Sequence, residues 1–199
     1  QNSGRHTGLV KASSGGGGEW TLIQTLTSDG SDATISFTSG IDSTYDEYCF
    51  KFINIHPEDD QVGFTFNYSV DSGSNWNVTK TTTFFHSYHD EGDLHANLQY
   101  KTDKDLAQGT GFQHLMHDCH NANDGSASGF LFIYDPSSTT FTKHYSSTMN
   151  AMVQSSGNPY TYQAFSGGYG NTTSAVNAVQ FKFSAGEIQG GSISLYGIG

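Results

Sequence analysis

At 199 residues the chain has room for one domain, or a domain and an arm, around a substantial core. Eight Lys and Arg stand against nineteen Asp and Glu, for a net charge of −11. That balance argues against binding a nucleic-acid backbone, where basic side chains must displace counterions. No stretch approaches the roughly 18 apolar residues of a membrane helix, and two cysteines, Cys49 and Cys119, make no disulfide framework.

The predicted elements begin with an arm. Residues 1–18 hold few large apolar side chains and end in four consecutive glycines, a flexible joint. Leu9 and Val10, beside Lys11, are all this segment offers for burial, so they are its candidate attachment residues. Its start has no apolar run of the kind a signal peptide carries, and without an initiator Met it reads as trimmed or processed. A first strand is expected over 20–27, a turn at 29–32, and a second strand over 33–38 with Ile35 and Phe37 on one face. The third, 45–55, places Tyr48, Phe50, Phe52 and Asn54 on one face and Cys49, Ile53 and Ile55 on the other. Two apolar faces make it a central strand, and Cys49 reads as a small buried apolar residue. Pro57 closes it. Residues 62–70 return with Val62, Phe64, Phe66 and Tyr68 on one face, and the two strands are expected to form a hairpin in the middle of a sheet.

Residues 71–77 read as a turn with Trp76 exposed, followed by a Thr-rich strand over 78–86 and a polar stretch to 105 read as a strand plus one helical turn. Strands are expected at 111–117 and 129–134, then a tight turn at Asp135-Pro136. Further strands follow at 141–153, at 160–169 and as a C-terminal pair. In that pair Val179, Phe181 and Phe183, then Ile193 and Leu195, alternate with polar residues around glycines 186–191. Fourteen Phe and eleven Tyr suit half-buried pleated surfaces. About ten short strands with polar turns indicate an all-β, jelly-roll-like two-sheet β-sandwich over 19–199, carrying the flexible arm 1–18.

The site-forming chemistry is sparse. His114, His117 and His120 recur near Asp118 and Cys119, but strict alternation puts His114, Asp118 and His120 on one face and His117 and Cys119 on the other, which a single tetrahedral site does not fit. His86, His89 and Asp93, and the Asp71/Asn75 turn, lack the ligand ladder of a calcium loop. No Gly-x-Ser-x-Gly elbow or phosphate loop occurs. No catalytic residue, metal or cofactor is assigned. Sugar recognition through aromatic platforms is the site hypothesis that stays open, with Trp76, Tyr88, Tyr160, Tyr162 and Tyr169 as candidate contacts with a glycan or a partner; core or subunit-interface packing is the competing role for each.

Several stretches carry a likeness. They are ISFTSGIDSTY at 35–45, FINIHP at 52–57, DLAQGTGFQ at 105–113, Phe132 with DPSSTTFTKH at 135–144, GYGNTT at 168–173, and FKFSAGEI at 181–188 leading into GSISLYGI at 191–198. In order and number these resemble a family of virion structural proteins of tailed bacteriophages, especially phages of aquatic bacteria, over nearly all of 20–199. The resemblance implies a non-enzymatic particle component, assembled in the host bacterial cytoplasm and displayed on the virion exterior. A capsid decoration or cement protein is expected, held by its arm to the major capsid protein or another virion protein and self-associating, as a trimer. The alternatives are a fibre module that binds host surface glycans and, third, a polysaccharide-degrading tailspike enzyme. Neither nucleic-acid binding nor membrane insertion is expected.

Overall fold

Twelve strands in two antiparallel sheets build the structure, a computed structural model that describes residues 18–155 and 157–199. The expected attachment residues Leu9, Val10 and Lys11 lie outside the described residues. The strands are β1 (Trp20–Thr27), β2 (Ile35–Phe37), β3 (Glu47–Pro57), β4 (Val62–Ser69), β5 (Lys80–Asp90), β6 (Ala96–Tyr100), β7 (Gln113–Cys119), β8 (Ala127–Tyr134), β9 (Lys143–Ser155), β10 (Asn158–Gly170), β11 (Ala178–Phe183) and β12 (Ile188–Ile198). The large sheet runs β1-β12-β3-β8-β9-β10-β5-β6, and the small one β2-β11-β4-β7.

The pairing explains the order. β1 pairs with β12, β2 with β11, β3 with β8 and β4 with β7, as in one long hairpin folded back on itself. Rolling that hairpin adds the pairs β12–β3 and β11–β4. This is a jelly roll of eight strands, in which every connection between successive strands crosses from one sheet to the other. The remaining four strands are insertions. β5 and β6 follow β4, β9 and β10 follow β8, and together they extend the large sheet beyond β8.

Aromatic side chains fill the space between sheets. Phe50 and Phe52 of β3 meet Phe37, Phe64 and Phe181 of the small sheet edge-on, with ring centroids 5.0 to 5.3 Å apart in four of these contacts. Each such pair adds about 0.5–1.5 kcal/mol beyond its buried area. Cys49 and Cys119 are buried, free thiols pushed up to about 12 by burial.

Several expectations need correction. The strands at 45–55 and 62–70 do not form a hairpin: β3 lies in the large sheet and β4 in the small one, joined across the end of the sandwich. Alternation also fails inside β3. Asn54 sits at φ 51°, and the register with β8 shifts between Phe52 and Ile55. This irregularity turns Ile55 into the core beside Phe52 and leaves Ile53 exposed. The stretch 86–105 holds no helical turn; β5 runs on to Asp90 and β6 pairs back along it. The strands number twelve rather than about ten, since β6 and the three-residue β2 both count.

Candidate functional site

The insertions make the large sheet wider than the small one. β7, at the edge of the small sheet, packs over β9 and β10, so β5 and β6 project beyond it as a ledge. Alternation along β5 turns Lys80, Thr82, Phe84, His86, Tyr88 and Asp90 inward and Thr83, Phe85, Ser87 and His89 outward. On β10 the same rule turns Tyr160, Tyr162 and Ala164 inward. A groove of about 240 Å³ therefore forms between the ledge and the edge of β7, lined by Tyr88, Tyr160, Tyr162, His86, Gln99 and Asp118, with His95, Lys101 and His117 completing it.

Tyr88, Tyr160 and Tyr162 are half-buried neighbours. Their ring centroids lie 6.0 Å (Tyr88–Tyr160), 5.6 Å (Tyr88–Tyr162) and 6.3 Å (Tyr160–Tyr162) apart. Behind them runs a polar chain. His117 Nδ1 lies 2.7 Å from Asp118 Oδ2, close but poorly aligned for a hydrogen bond. His117 Nε2 is 2.5 Å from His86 Nδ1, and His86 Nε2 is 3.4 Å from Gln99 Oε1.

Counting protons orients the chain. A carboxylate only accepts, so even this poorly aligned contact favours the tautomer with the proton on His117 Nδ1, which leaves Nε2 to accept from His86 Nδ1–H. His86 Nε2 then accepts, and the Gln99 amide turns its NH₂ toward it, an orientation set by this count rather than by the heavy atoms. Burial and the neighbouring His117 hold the His86 imidazole below its ordinary pKa, which keeps it neutral as this arrangement requires. Burial opposes ionisation of Asp118, but the contact with His117 and the charges of Lys104 and Lys101 outweigh it and its carboxyl falls below the usual range. The Asp118 backbone lies at φ 53°, a left-handed conformation that Asp tolerates better than most residues.

The tip of the ledge is held by one carboxylate. Asp90 Oδ1 accepts from the backbone N–H of Leu94 and His95, while Oδ2 accepts from Asn158 Nδ2 and lies 2.9 Å from His95 Nδ1. The β5–β6 turn and the start of β10 are thereby tied to one point.

Three of the five candidate aromatic contacts thus converge. Trp76 and Tyr169 do not join them. Trp76 is half-buried rather than exposed: its ring lies against Gly73, and its backbone carbonyl accepts from Asn67 Nδ2 at 2.7 Å. Tyr169 faces the opposite side of the large sheet, 6.1 Å from the His144 ring. The histidines of 114–120 also part company. His114 packs on the other side of β7 against Gly63, where burial lowers its pKa to about 4. His117 enters the groove, and His120 meets Asp60 at 3.3 Å in a loop. Among the described residues no group of three His, Cys, Asp or Glu has the arrangement to hold a metal ion. The Asp71 carboxylate is occupied by Ser69 and Asn75, and the bonds they donate lower its pKa to about 2.

The far side of the large sheet is a second surface. Trp20 of β1 lies 5.5 Å from Tyr196 of β12, 6.0 Å from Phe132 and 6.3 Å from Phe130 of β8. Toward the other edge Phe85 stacks on Phe165 at 5.0 Å, beside exposed Leu98 and Tyr100. Glu47 and Lys51 are the formally charged side chains at the outward strand positions of this face. Sequence reasoning missed His86, Gln99 and Asp118 as a group, because they meet only where β5 and β6 of one sheet face β7 of the other, a packing that the order of strands along the chain does not reveal. It missed the outer face too, although the alternation of Phe130, Phe132 and Tyr134 with Leu131 and Ile133 is its signal.

No protein-family model matches the chain, and neither a curated protein nor a solved structure matches it.

Proposed function

We propose that this chain is a non-enzymatic surface protein of a tailed-bacteriophage virion, a decoration or cement subunit that acts by adhesion. The observation that supports this most is the outer face of the eight-stranded sheet. It presents Trp20, Leu22, Phe130 and Tyr134 at one side and Phe85, Leu98 and Tyr100 at the other, all exposed, on a chain that is otherwise strongly acidic. A large exposed apolar surface marks a docking site. Eight strands at about 4.8 Å spacing span roughly 34 Å, wide enough for the ~800 Å² per partner that a stable interface buries. In this reading the occupant is a neighbouring virion subunit, the arm 1–18 with Leu9, Val10 and Lys11 adds a tether, and the subunits assemble as trimers on the particle exterior.

The test compares particles prepared with and without this chain. Loss of the chain lowers the temperature at which particles release their genome, and adding purified protein back restores it. Equal release temperatures would overturn the cement role.

A second reading has its own support. The convergence of Tyr88, Tyr160 and Tyr162 around a polar groove suits a module that binds host surface glycans. The third, a polysaccharide-degrading enzyme, fits less well. Most glycoside hydrolysis uses a pair of carboxyl groups, and Asp118 is the one carboxylate lining this groove, already engaged by His117. The polar chain behind the tyrosines ends on the Gln99 amide rather than on a nucleophile.

A further inference from the structure

We infer that the groove between the ledge and β7 binds a single carboxylate-bearing sugar residue, of the uronic-acid class, within a longer acidic glycan; this rests on the glycan-binding reading of the same groove. Three features argue for it together.

The first is the platform. The C–H faces of a pyranose ring are apolar and slightly positive, and they stack on the negative faces of aromatic rings. Tyr88, Tyr160 and Tyr162 supply such rings from two adjacent strands, and among the described residues their hydroxyls make no hydrogen bond that a sugar hydroxyl would have to displace. The second is size. At about 240 Å³ the groove lies below the ~300–1,000 Å³ of pockets for drug-sized ligands. It suits one ring, and its position at the sheet edge lets the rest of a polymer run out past β6.

The third is charge. The chain has eight Lys and Arg. Lys80 and Lys143 are buried, donating to protein carbonyl oxygens. Lys51 faces outward from the large sheet, and the Lys182 ammonium sits over the Phe112 ring at 4.5 Å. Lys101, by contrast, lines the groove and forms no ion pair among the described residues, while Lys104 lies near enough to bias Asp118. His95 adds a ring to the same wall. Asp118, the opposing carboxylate, lies against His117 Nδ1 at 2.7 Å, and the positive charges of Lys104 and Lys101 offset its own. A chain of net charge −11 repels most anions, yet here an ammonium group with no ion pair among the described residues stands beside an aromatic platform. A sugar carboxylate meets Lys101 through a charge-assisted hydrogen bond while its ring covers the tyrosines.

The test uses the whole chain with tetrasaccharides of galacturonate and of mannuronate, against neutral maltotetraose and cellotetraose, read by calorimetry and by tyrosine fluorescence. At least one uronate is expected to bind roughly tenfold more tightly than every neutral sugar, with a preference that shrinks as salt rises from low to physiological concentration. Lys101→Gln is expected to abolish the preference, weakening the uronates far more than the neutral sugars. Tyr88→Ala, at a half-exposed position, weakens both classes. Neutral and acidic sugars binding equally, or a preference that survives Lys101→Gln, would overturn the uronate assignment and leave the glycan reading standing. Failure of all four sugars to bind the folded wild-type protein would remove both.

Discussion

Lys80 is fully buried at the start of β5, and its ammonium group donates to the Asn67 side-chain oxygen and, at 2.8 Å, to the Val78 carbonyl. Two neutral acceptors do not replace a hydration shell, so burial lowers its pKa from 10.5 to about 7. Between those two values the unfolded chain holds a proton that the folded chain has released. Stability therefore rises with pH from about 7 toward 10.5. Each tenfold loss of proton affinity is worth about 1.4 kcal/mol, so the gain is on the order of a few kcal/mol. Urea unfolding at pH 7 and pH 9.5 checks this: the wild-type midpoint climbs, and that of Lys80→Met stays nearly flat. A wild-type midpoint that falls over this range would mean that the two acceptors hold the ammonium form in the fold. Asp90 is the opposite case. His95 first, and then the backbone N–H groups of His95 and Leu94, hold its carboxyl well below the ordinary value, so its contribution is present above about pH 4 and lost only on strong acidification.

Strand alternation was readable wherever one face is buried and the pleat is regular. The C-terminal pair is the clearest instance: Val179, Phe181 and Phe183 of β11 and Ile193 and Leu195 of β12 all face the core as their period of two requires. The reading failed where a residue enters the left-handed region, because one irregular residue reverses the parity of everything after it. Asn54 does this in β3, and in β7 the register slips on β4 around Phe64, with Asp118 left-handed near the end of the strand. Which strands pair was not legible at all, since pairings such as β1 with β12 join opposite ends of the chain. For the same reason three tyrosines of the groove were named from sequence, but not the histidine pair behind them. The inserted strands also depend on close approaches at glycine, at Gly129 between β8 and β9 and at Gly168 between β10 and β5. A β-carbon on inward-facing Gly168 of β10 would run into the Thr81 carbonyl oxygen and the Thr82 backbone of β5, whereas outward-facing Gly167 has only the Tyr145 carbonyl, at 3.7 Å. Gly168→Ala is expected to cost about 1–3 kcal/mol by forcing β5 from β10. Gly167→Ala is neutral, or stabilising by up to ~1 kcal/mol through the unfolded chain. Chemical denaturation of the two variants side by side measures the difference, and equal midpoints would contradict the tight seam.

Across the molecule, the groove is largely separate from the scaffold that carries it. Eight strands make the jelly roll, and the four inserted strands carry the tyrosines, His86 and Gln99, with β7 lending His117 and Asp118; a common scaffold bears a site assembled from additions to it. The same insertions double the width of the large sheet and add Phe85, Leu98 and Tyr100 to the outer face proposed for docking, whose other side, with Trp20, Leu22, Phe130 and Tyr134, belongs to the eight-strand roll. The net charge of −11 then sets a condition on that docking. A chain of this length has a radius of gyration of roughly 16 Å. At 0.01 M ionic strength the Debye length is about 30 Å, and subunits crowded on a particle, as proposed, would repel one another with little screening; at 0.15 M it is about 8 Å and most of that repulsion is screened. An interface built from Trp20, Phe130, Phe85 and Tyr100 gains nothing from low salt to offset the repulsion. The number of copies retained per particle is therefore expected to fall when particles are dialysed from 0.15 M to 0.01 M salt, as measured by quantitative gel densitometry. Phe130→Lys, which sets a charge in the middle of the aromatic face, lowers retention at both salt concentrations. Tighter retention at low salt would instead indicate attachment through opposite charges, and would move the docking surface away from the outer face of the large sheet.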